Sequence, residues 1–406
     1  MNMKITQLYD YSKKKVEENR ELYISYLKNA ISCNTTNPPG NEDVLARYIQ
    51  EILMEHGIES VLQQVYPNRS NVIGVYTFGT GGKKLLLNAH MDVVAPGDVL
   101  WKFSPFAPVE KDGVLYGRGS SDDKGGLIAM LIAMLIFKEA GVEGINGIIE
   151  YCGVMGEEAS GIGTQRWLDM GGKADAAIVG EPSNLEIVTA HRGAYRPQYS
   201  LYGKTAHSSE PDSGENAVYY AAHFIEAIEK YHEDLKERVH PLTGAPTVAV
   251  TVIQGGKKVN VIPDHVTIQI DRRLSPGEDK EVAANEIESI LQELQKNGKI
   301  GAYQFDDCLN VKEAAETKET ELIVQIAKRV TSEHGLSNCV KGMKASTDMY
   351  ILNRANIPSI IFAPGDMGVA HSPNEGICIK QFLDAIPIYV DLFAHYFLED
   401  VDDDKK

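Results

Sequence analysis

Three short apolar runs in the first half of the chain each stop abruptly at a glycine, an acid or an imidazole. They are LLLNAH at the end of 84–90, GIIEYCGV over 147–154 and AAIVG over 176–180. Runs of this length and make-up read as buried strands, and 71–76 reads as another. A longer apolar pattern over 127–137 follows GRGSSDDKGG and reads as a buried helix. It is well short of the roughly 20 residues that a membrane span needs. Buried strands alternating with helices predict an α/β fold: a mostly parallel sheet with helices on both faces.

The N-terminal stretch 5–33 reads as one amphipathic helix, broken by the prolines and glycine of CNTTNPPGN. Asn41 is a candidate N-cap for a helix running to residue 55. Between 192 and 308 the texture changes. Strand-like segments at 197–203 and 247–252 precede HVTIQIDRR at 265–273, which alternates apolar and polar residues as a half-exposed strand does. Amphipathic patterns at 217–235 and 279–294 read as helices. This is an α+β unit inserted into a split α/β domain made of 1–191 and 309–406. A chain of 406 residues is too long for one ordinary core, so two domains fit its length. Past the insertion, 319–334 and 382–397 read as helices, 357–362 as a strand, and the tail EDVDDDKK as frayed.

Charge excludes some partners. Lys and Arg number 40 against 57 Asp and Glu, a net charge of −17, so no basic face is expected for nucleic acid or an anionic membrane. The five cysteines are far apart and form no C-x-x-C, which suits reduced thiols in the cytoplasm. The first residues carry no apolar signal-peptide core.

The residues that end the apolar runs carry the chemistry. His90 and Asp92 lie two apart at a strand end, facing the same side. A ligating imidazole needs its second nitrogen held, and Asp92 is placed to do that. Asp122 sits among glycines that let the backbone approach a ligand; the helix after it makes an N-cap role an equal alternative. Asp122 is the chosen ligand, and Asp123 stays undecided. Glu157 and Glu158 follow a strand through Gly156 and point in different directions, which suits one ligand and one base. Glu181 follows AAIVG, and His371 lies in the loop APGDMGVAHSPNEG. Taken singly, each has a plainer reading as a turn, a cap or a surface residue. Together they supply the nitrogen and oxygen donors of a two-metal hydrolase at the strand ends where open α/β sheets place their sites.

The motifs HMDVV, YGRGSSDDKGG, GEE, GEPS, GKTAHSS, NVIP with an R-x-x-P turn, and PGDMGVAHSPNE occur in this order over 34–379. The chain thereby resembles the zinc amidohydrolase and exopeptidase family of acetylornithine deacetylase, succinyl-diaminopimelate desuccinylase, aminoacylase and carboxypeptidase G. The resemblance implies two Zn2+ per chain, with Co2+ or Mn2+ as substitutes. One ion would be held by His90, Asp122 and Glu181, the other by Asp122, Glu158 and His371. Asp92 would orient His90, and Glu157 would be the general base. It also implies that 192–308 is a lid that forms a homodimer and sends His207 to the substrate oxygen. Asn260, Arg273 and Arg192 would contact a small-molecule substrate bearing a carboxylate; Arg272 competes with Arg273 for that part. Departures touch specificity. His191-Arg192 stands where desuccinylases carry paired arginines, Met91 where threonine is frequent, and Glu181 leans away from the dipeptidase branch.

The expected function is hydrolysis of the amide of a small N-acyl amino acid or related metabolite. A metallo-dipeptidase on the same scaffold is the alternative. A binding protein that lost the chemistry would have no use for Glu157 beside a full ligand set. A phosphoesterase would call for a P-loop or a dense basic cluster near the ligands, and the sequence has neither.

Overall fold

The computed structural model describes residues 7–398, so the expected fraying of the C-terminal tail lies outside the described residues. The chain divides into two compact units. The first comprises Met1–Thr189, Thr317–Lys341 and Thr347–Lys406, and the second Ala190–Glu316 with Gly342–Ser346.

In the first unit the central sheet runs in the order Glu59–Tyr66, Arg69–Phe78, Gly147–Val154, Lys84–His90, Ala176–Val179, Ser359–Ile361, Ile187–His191. The middle is parallel: Lys84–His90 pairs in parallel with both Gly147–Val154 and Ala176–Val179, and Ser359–Ile361 pairs in parallel with Ala176–Val179. Both flanks are antiparallel. The expectation of a mostly parallel sheet is therefore corrected to a mixed one. The cause on one flank is local. Glu59–Tyr66 and Arg69–Phe78 are joined by only two residues, of which Asn68 takes a φ of 62°. A link that short can only return the chain antiparallel.

The Lys124–Ala140 helix is apolar all round, and nearly every residue of it is buried, as a helix in the middle of a core must be. It ends at Gly141 in the left-handed conformation. Ile379–Leu398, Arg20–Ser32 and the Lys84–His90 strand pack against it. Each Leu, Ile or Phe buried there contributes about 1.5–3 kcal/mol. The N-terminal segment forms two helices, Leu8–Glu18 and Arg20–Ser32, in place of the one expected. Asn19 breaks the run: its backbone leaves the helical region and its amide donates to the Lys15 carbonyl at 2.9 Å. Among the described residues no helix is long and apolar enough to cross a membrane.

The second unit is an antiparallel sheet in the order Thr247–Gly255, His265–Leu274, Gly193–Tyr202, Ala302–Lys312, with helices Ala217–Leu235 and Lys280–Lys296 packed on it. Asn216 and Asp279 cap these helices, each accepting from a backbone N–H at 2.9 Å. Along His265–Leu274 burial alternates strictly, and Val266, Ile268, Ile270, Arg272 and Leu274 face the unit's own core.

Candidate metal centre

The three parallel strands deliver their C-terminal ends side by side. In register, His90 lies opposite Val154, three residues before Glu157, and Asn88 lies opposite Val179, two before Glu181. Glycine makes the last approach possible. A Cβ on Gly180 would stand 2.9 Å from Asp123 Oδ2, and one on Gly126 would stand 2.1 Å from the Gly180 carbonyl oxygen. The start of the Lys124–Ala140 helix can therefore press against the turn that presents Glu181.

Two donor groups form there. His90, Asp122 and Glu181 make one, and Asp122, Glu158 and His371 make the other; within each group the ligand atoms lie within 4.8 Å of one another. The Asp122 carboxylate spans the pair, with Oδ1 at 3.0 Å from His90 Nε2 and Oδ2 at 3.3 Å from His371 Nε2. Glu181 Oε1 lies 3.9 Å from His90 Nε2, and Glu158 Oε2 lies 3.0 Å from His371 Nε2. Glu157 is buried and belongs to neither group. All of these residues are in the first unit. The cap of the following helix falls at Asp123, whose side chain makes no capping bond; its Oδ2 accepts from the His90 N–H at 3.0 Å.

Asp92 acts through both its main chain and its side chain. His90 Nδ1 donates to the Asp92 main-chain oxygen at 2.8 Å, while the Asp92 carboxylate is 3.7 Å from that nitrogen. The carboxylate instead accepts from the backbone N–H groups of Glu157 (3.0 Å) and Glu158 (3.3 Å) and from the Asn37 amide (2.8 Å). Asp92 thus fixes the His90 ring with its main chain and the Glu157–Glu158 turn with its side chain. Asn71 supports the same turn from below, accepting from Met155 N at 3.0 Å and donating to the Gly163 carbonyl at 2.8 Å.

Electrostatics test whether this donor set suits metal ions. Burial lifts the Glu181 carboxyl well above its ordinary range, and the charges of Glu157 and Asp122 add to that. Burial likewise pushes Glu158 up to about 7, against the hydrogen bond from His371. Burial also opposes charge on Asp122, but hydrogen bonds from His371 and His90 outweigh it and hold Asp122 below the usual carboxylate range. The same bonds, to Asp122 first and Glu158 second, lift His371 to about 10. Five buried or nearly buried carboxyls, at 122, 123, 157, 158 and 181, face two imidazoles. Such a cluster stays ionised only beside concentrated positive charge, and oxygen plus imidazole donors suit divalent cations. The residues fit two such ions.

A third group, Glu333, Asp391 and His395, meets the same spacing. Its chemistry is different. The Arg329 guanidinium lies 2.9 Å from His395 Nδ1, and His334 Nε2 holds Asp391 Oδ2 at 2.7 Å. Two imidazoles already meet that carboxylate, His395 Nε2 lying 3.5 Å from its Oδ1, and a guanidinium sits against the His395 ring, so this cluster is read as a hydrogen-bond network.

The remaining sequence candidates fall on the second unit. His207 is exposed, with Nδ1 at 2.7 Å from Ser209 Oγ. Asn260 is exposed, and its carbonyl accepts from Ser208 N at 3.1 Å. Arg273 is half-buried and bonded to Asp271, whereas Arg272 points into the core and pairs with Glu278 at 2.7 Å. Strand alternation separates the two arginines as expected, and it removes Arg272 as a substrate contact. Arg192 is buried; its Nε and Nη2 donate to the Thr243 carbonyl at 3.0 and 2.6 Å, and burial followed by the charge of Arg273 lowers its pKa.

Sequence reasoning passed over Arg118, Glu375 and Asn37. All three lie inside or beside quoted motifs, but an arginine in a glycine loop and a glutamate after proline give no one-dimensional sign of being buried.

The profile of the Peptidase family M20/M25/M40 matches residues 86–396. A probable succinyl-diaminopimelate desuccinylase from Staphylococcus epidermidis is 28% identical over 403 residues, covering 92% of this chain and 97% of the relative. The N-formyl-4-amino-5-aminomethyl-2-methylpyrimidine deformylase of Bacillus subtilis is 30% identical over 426 aligned positions, covering 96% and 98%. Among solved structures, aminopeptidase PepT from Bacillus cereus superposes with a TM-score of 0.78 at 21% identity, covering 93% of this chain and 99% of that one.

Proposed function

The chain belongs to the Peptidase family M20/M25/M40 and is a metal-dependent hydrolase, and we propose that it removes an acyl group from a small amine by cleaving the amide of an N-acyl amino acid or related metabolite. The observation that carries this reading is the Asp122 carboxylate between two imidazoles, at 3.0 and 3.3 Å, with buried Glu157 close by and outside both donor groups. Two divalent cations, zinc by preference, would supply Lewis acidity and a water of lowered pKa.

The chain's own residues do the rest. Asp122, His90 and Glu181 hold one position, and Asp122, Glu158 and His371 the other. Glu157 takes the proton from the attacking water at a carboxylate oxygen and returns it to the leaving nitrogen, releasing a carboxylate and an amine. Asp92 keeps the Glu157 backbone in register with the site. Arg192 and Arg273 are assigned to a substrate carboxylate and Asn260 to a polar contact. His207 is assigned to the carbonyl oxygen of the site in a partner copy, in a cytoplasmic homodimer.

The named activities of the two relatives, a desuccinylase and a deformylase, both strip an acyl group from nitrogen and support deacylation over peptide cleavage. The deciding experiment is a panel of N-formyl, N-acetyl, N-succinyl and free-amine dipeptide substrates with zinc, cobalt or manganese added. Preference for an N-acyl substrate supports the proposal, and preference for free-amine dipeptides replaces it with a metallo-dipeptidase.

A further inference from the structure

Glu375 is fully buried, four residues beyond His371, and every donor around its carboxylate comes from the loop that presents Asp122. Oε1 accepts from the backbone N–H groups of Ser121 at 2.9 Å and Asp122 at 3.0 Å. Oε2 accepts from Gly119 N at 3.0 Å and from Arg118 Nη1 at 2.6 Å. Arg118 is also buried. It reaches back to the other loop, with Nη2 at 3.3 Å from the His371 carbonyl and Nη1 at 3.4 Å from that of Ser372. The Trp101 ring lies 5.0 Å from its guanidinium carbon. The backbone fixes where the two loops meet: Gly376–Cys378 pairs antiparallel with Val114–Tyr116, and Gly117 N donates to the Glu375 carbonyl at 3.0 Å.

We propose that Arg118 and Glu375 form a latch that positions Asp122 and His371 relative to one another, and so sets how tightly the outer position, made by Asp122, Glu158 and His371, holds its ion. Both residues are positioning residues. The inference rests on the two-ion reading of the site.

The argument is one of geometry and charge. The outer group takes two of its three donors from these two loops, and His371 has a φ of 60°, a conformation that a non-glycine residue keeps only when its surroundings hold it. A charged clamp with four donors, two of them on neighbouring peptides, does that. Beyond these loops Arg118 makes only a long bond to the Ala95 carbonyl, at 3.5 Å, and the ring contact with Trp101, and the Glu375 carboxylate accepts from the Asp122 loop. The inner position draws His90 and Glu181 from strand ends that the sheet already fixes, so it depends on the latch only through Asp122.

The test uses the full-length protein stripped of metal, titrated with zinc by calorimetry and with cobalt by visible absorption. Wild type is expected to take up two equivalents. Glu375→Gln keeps the side-chain volume and loses the ion pair; it is expected to weaken the second equivalent by about 10–100-fold, the range for residues that orient a ligand. The first equivalent is expected to change much less, and only the cobalt bands of the second should alter. Arg118→Lys keeps the charge but cannot span Glu375 and the His371 carbonyl together. It gives the same selective loss, and serves if Glu375→Gln does not fold. Equal weakening of both equivalents, or unchanged binding of both beside a lowered melting temperature, overturns the latch and leaves the two-ion reading standing. Wild type that binds fewer than two equivalents overturns both.

Discussion

The two donor groups share Asp122 and differ in how the fold holds them. The inner one, completed by His90 and Glu181, sits on adjacent strand ends, and its members are at most 5% exposed. The outer one, completed by Glu158 and His371, stands on a turn and a loop, and the His371 side chain is 54% exposed. A strand end is placed by its ladder and cannot shift without breaking the sheet. A loop must be tied down residue by residue, here by the Asp92 carboxylate under Glu157 and Glu158 and by Glu375 under Asp122. The comparison teaches that one position is built into the fold, whereas the other is assembled on it and open to exchange.

The harshest way to break this comparison is to remove what the groups share. Asp122→Asn should weaken both metal equivalents together and lower turnover by about four orders of magnitude or more, beyond the roughly 10²–10⁴-fold that a lost proton shuttle removes. Metal analysis with a kinetic assay checks it; one equivalent kept at wild-type affinity would mean that Asp122 does not bridge. Next in size is Glu157→Gln. Turnover should drop roughly 10²–10⁴-fold while both equivalents remain bound. Loss of metal along with activity would move Glu157 from base to ligand.

A smaller effect sharpens the contrast. His371→Ala should shed only the outer equivalent and, in melts run near pH 10 where the charge on this imidazole no longer contributes, leave the metal-free protein's stability nearly unchanged, because a half-exposed loop side chain leaves little cavity. His90→Ala should also destabilise the metal-free protein, by about 1–3 kcal/mol, since it strands buried partners. Thermal melts of the stripped variants, run beside metal titrations, measure both. Equal melting of the two variants would erase the difference in how the groups are held.

The inner group was the more legible in sequence for the same reason. Strands buried on both faces read as apolar runs, so 84–90 and 176–180 fall on the observed strands Lys84–His90 and Ala176–Val179 and point straight at His90 and Glu181. The helix Ala217–Leu235 was equally plain from its periodicity. Edge strands were not. Glu59–Tyr66 and Ala302–Lys312 are partly exposed along their length, and each contains a register shift, so polar residues interrupt both and neither showed itself. The hairpin that makes one of the two antiparallel flanks was lost with the first of them. Asp92 was found, but not that its carbonyl faces the ring while its carboxylate holds the Glu157 backbone, because sequence names a residue and not which of its oxygens does what. Arg118 and Glu375 had no sequence signal at all: only the crossing of two loops turns residues 257 positions apart into a pair.

The smallest effect is a pH dependence, and its sign follows from His371. Without metal, hydrogen bonds to Asp122 and Glu158 raise this imidazole from its ordinary 6.5 to about 10, so at neutral pH it carries a proton. A protonated imidazole has no lone pair for a metal, so outer-site binding must expel that proton, and Glu158, lifted to about 7, gives up part of another. Outer-site affinity should therefore rise with pH through the neutral range. Calorimetry at pH 7 in buffers of different ionisation enthalpy should register proton release on the second equivalent, and His371→Ala should abolish that release together with the binding. The same shift has the opposite consequence for the metal-free fold. A pKa raised on folding stabilises fully below 6.5 and is lost as pH climbs toward about 10, so the stripped wild type should soften over that interval while His371→Ala does not. If stripped wild type and variant soften in parallel, the His371 contacts with Asp122 and Glu158 are absent from the metal-free protein in solution, and the outer group forms only when the ion arrives.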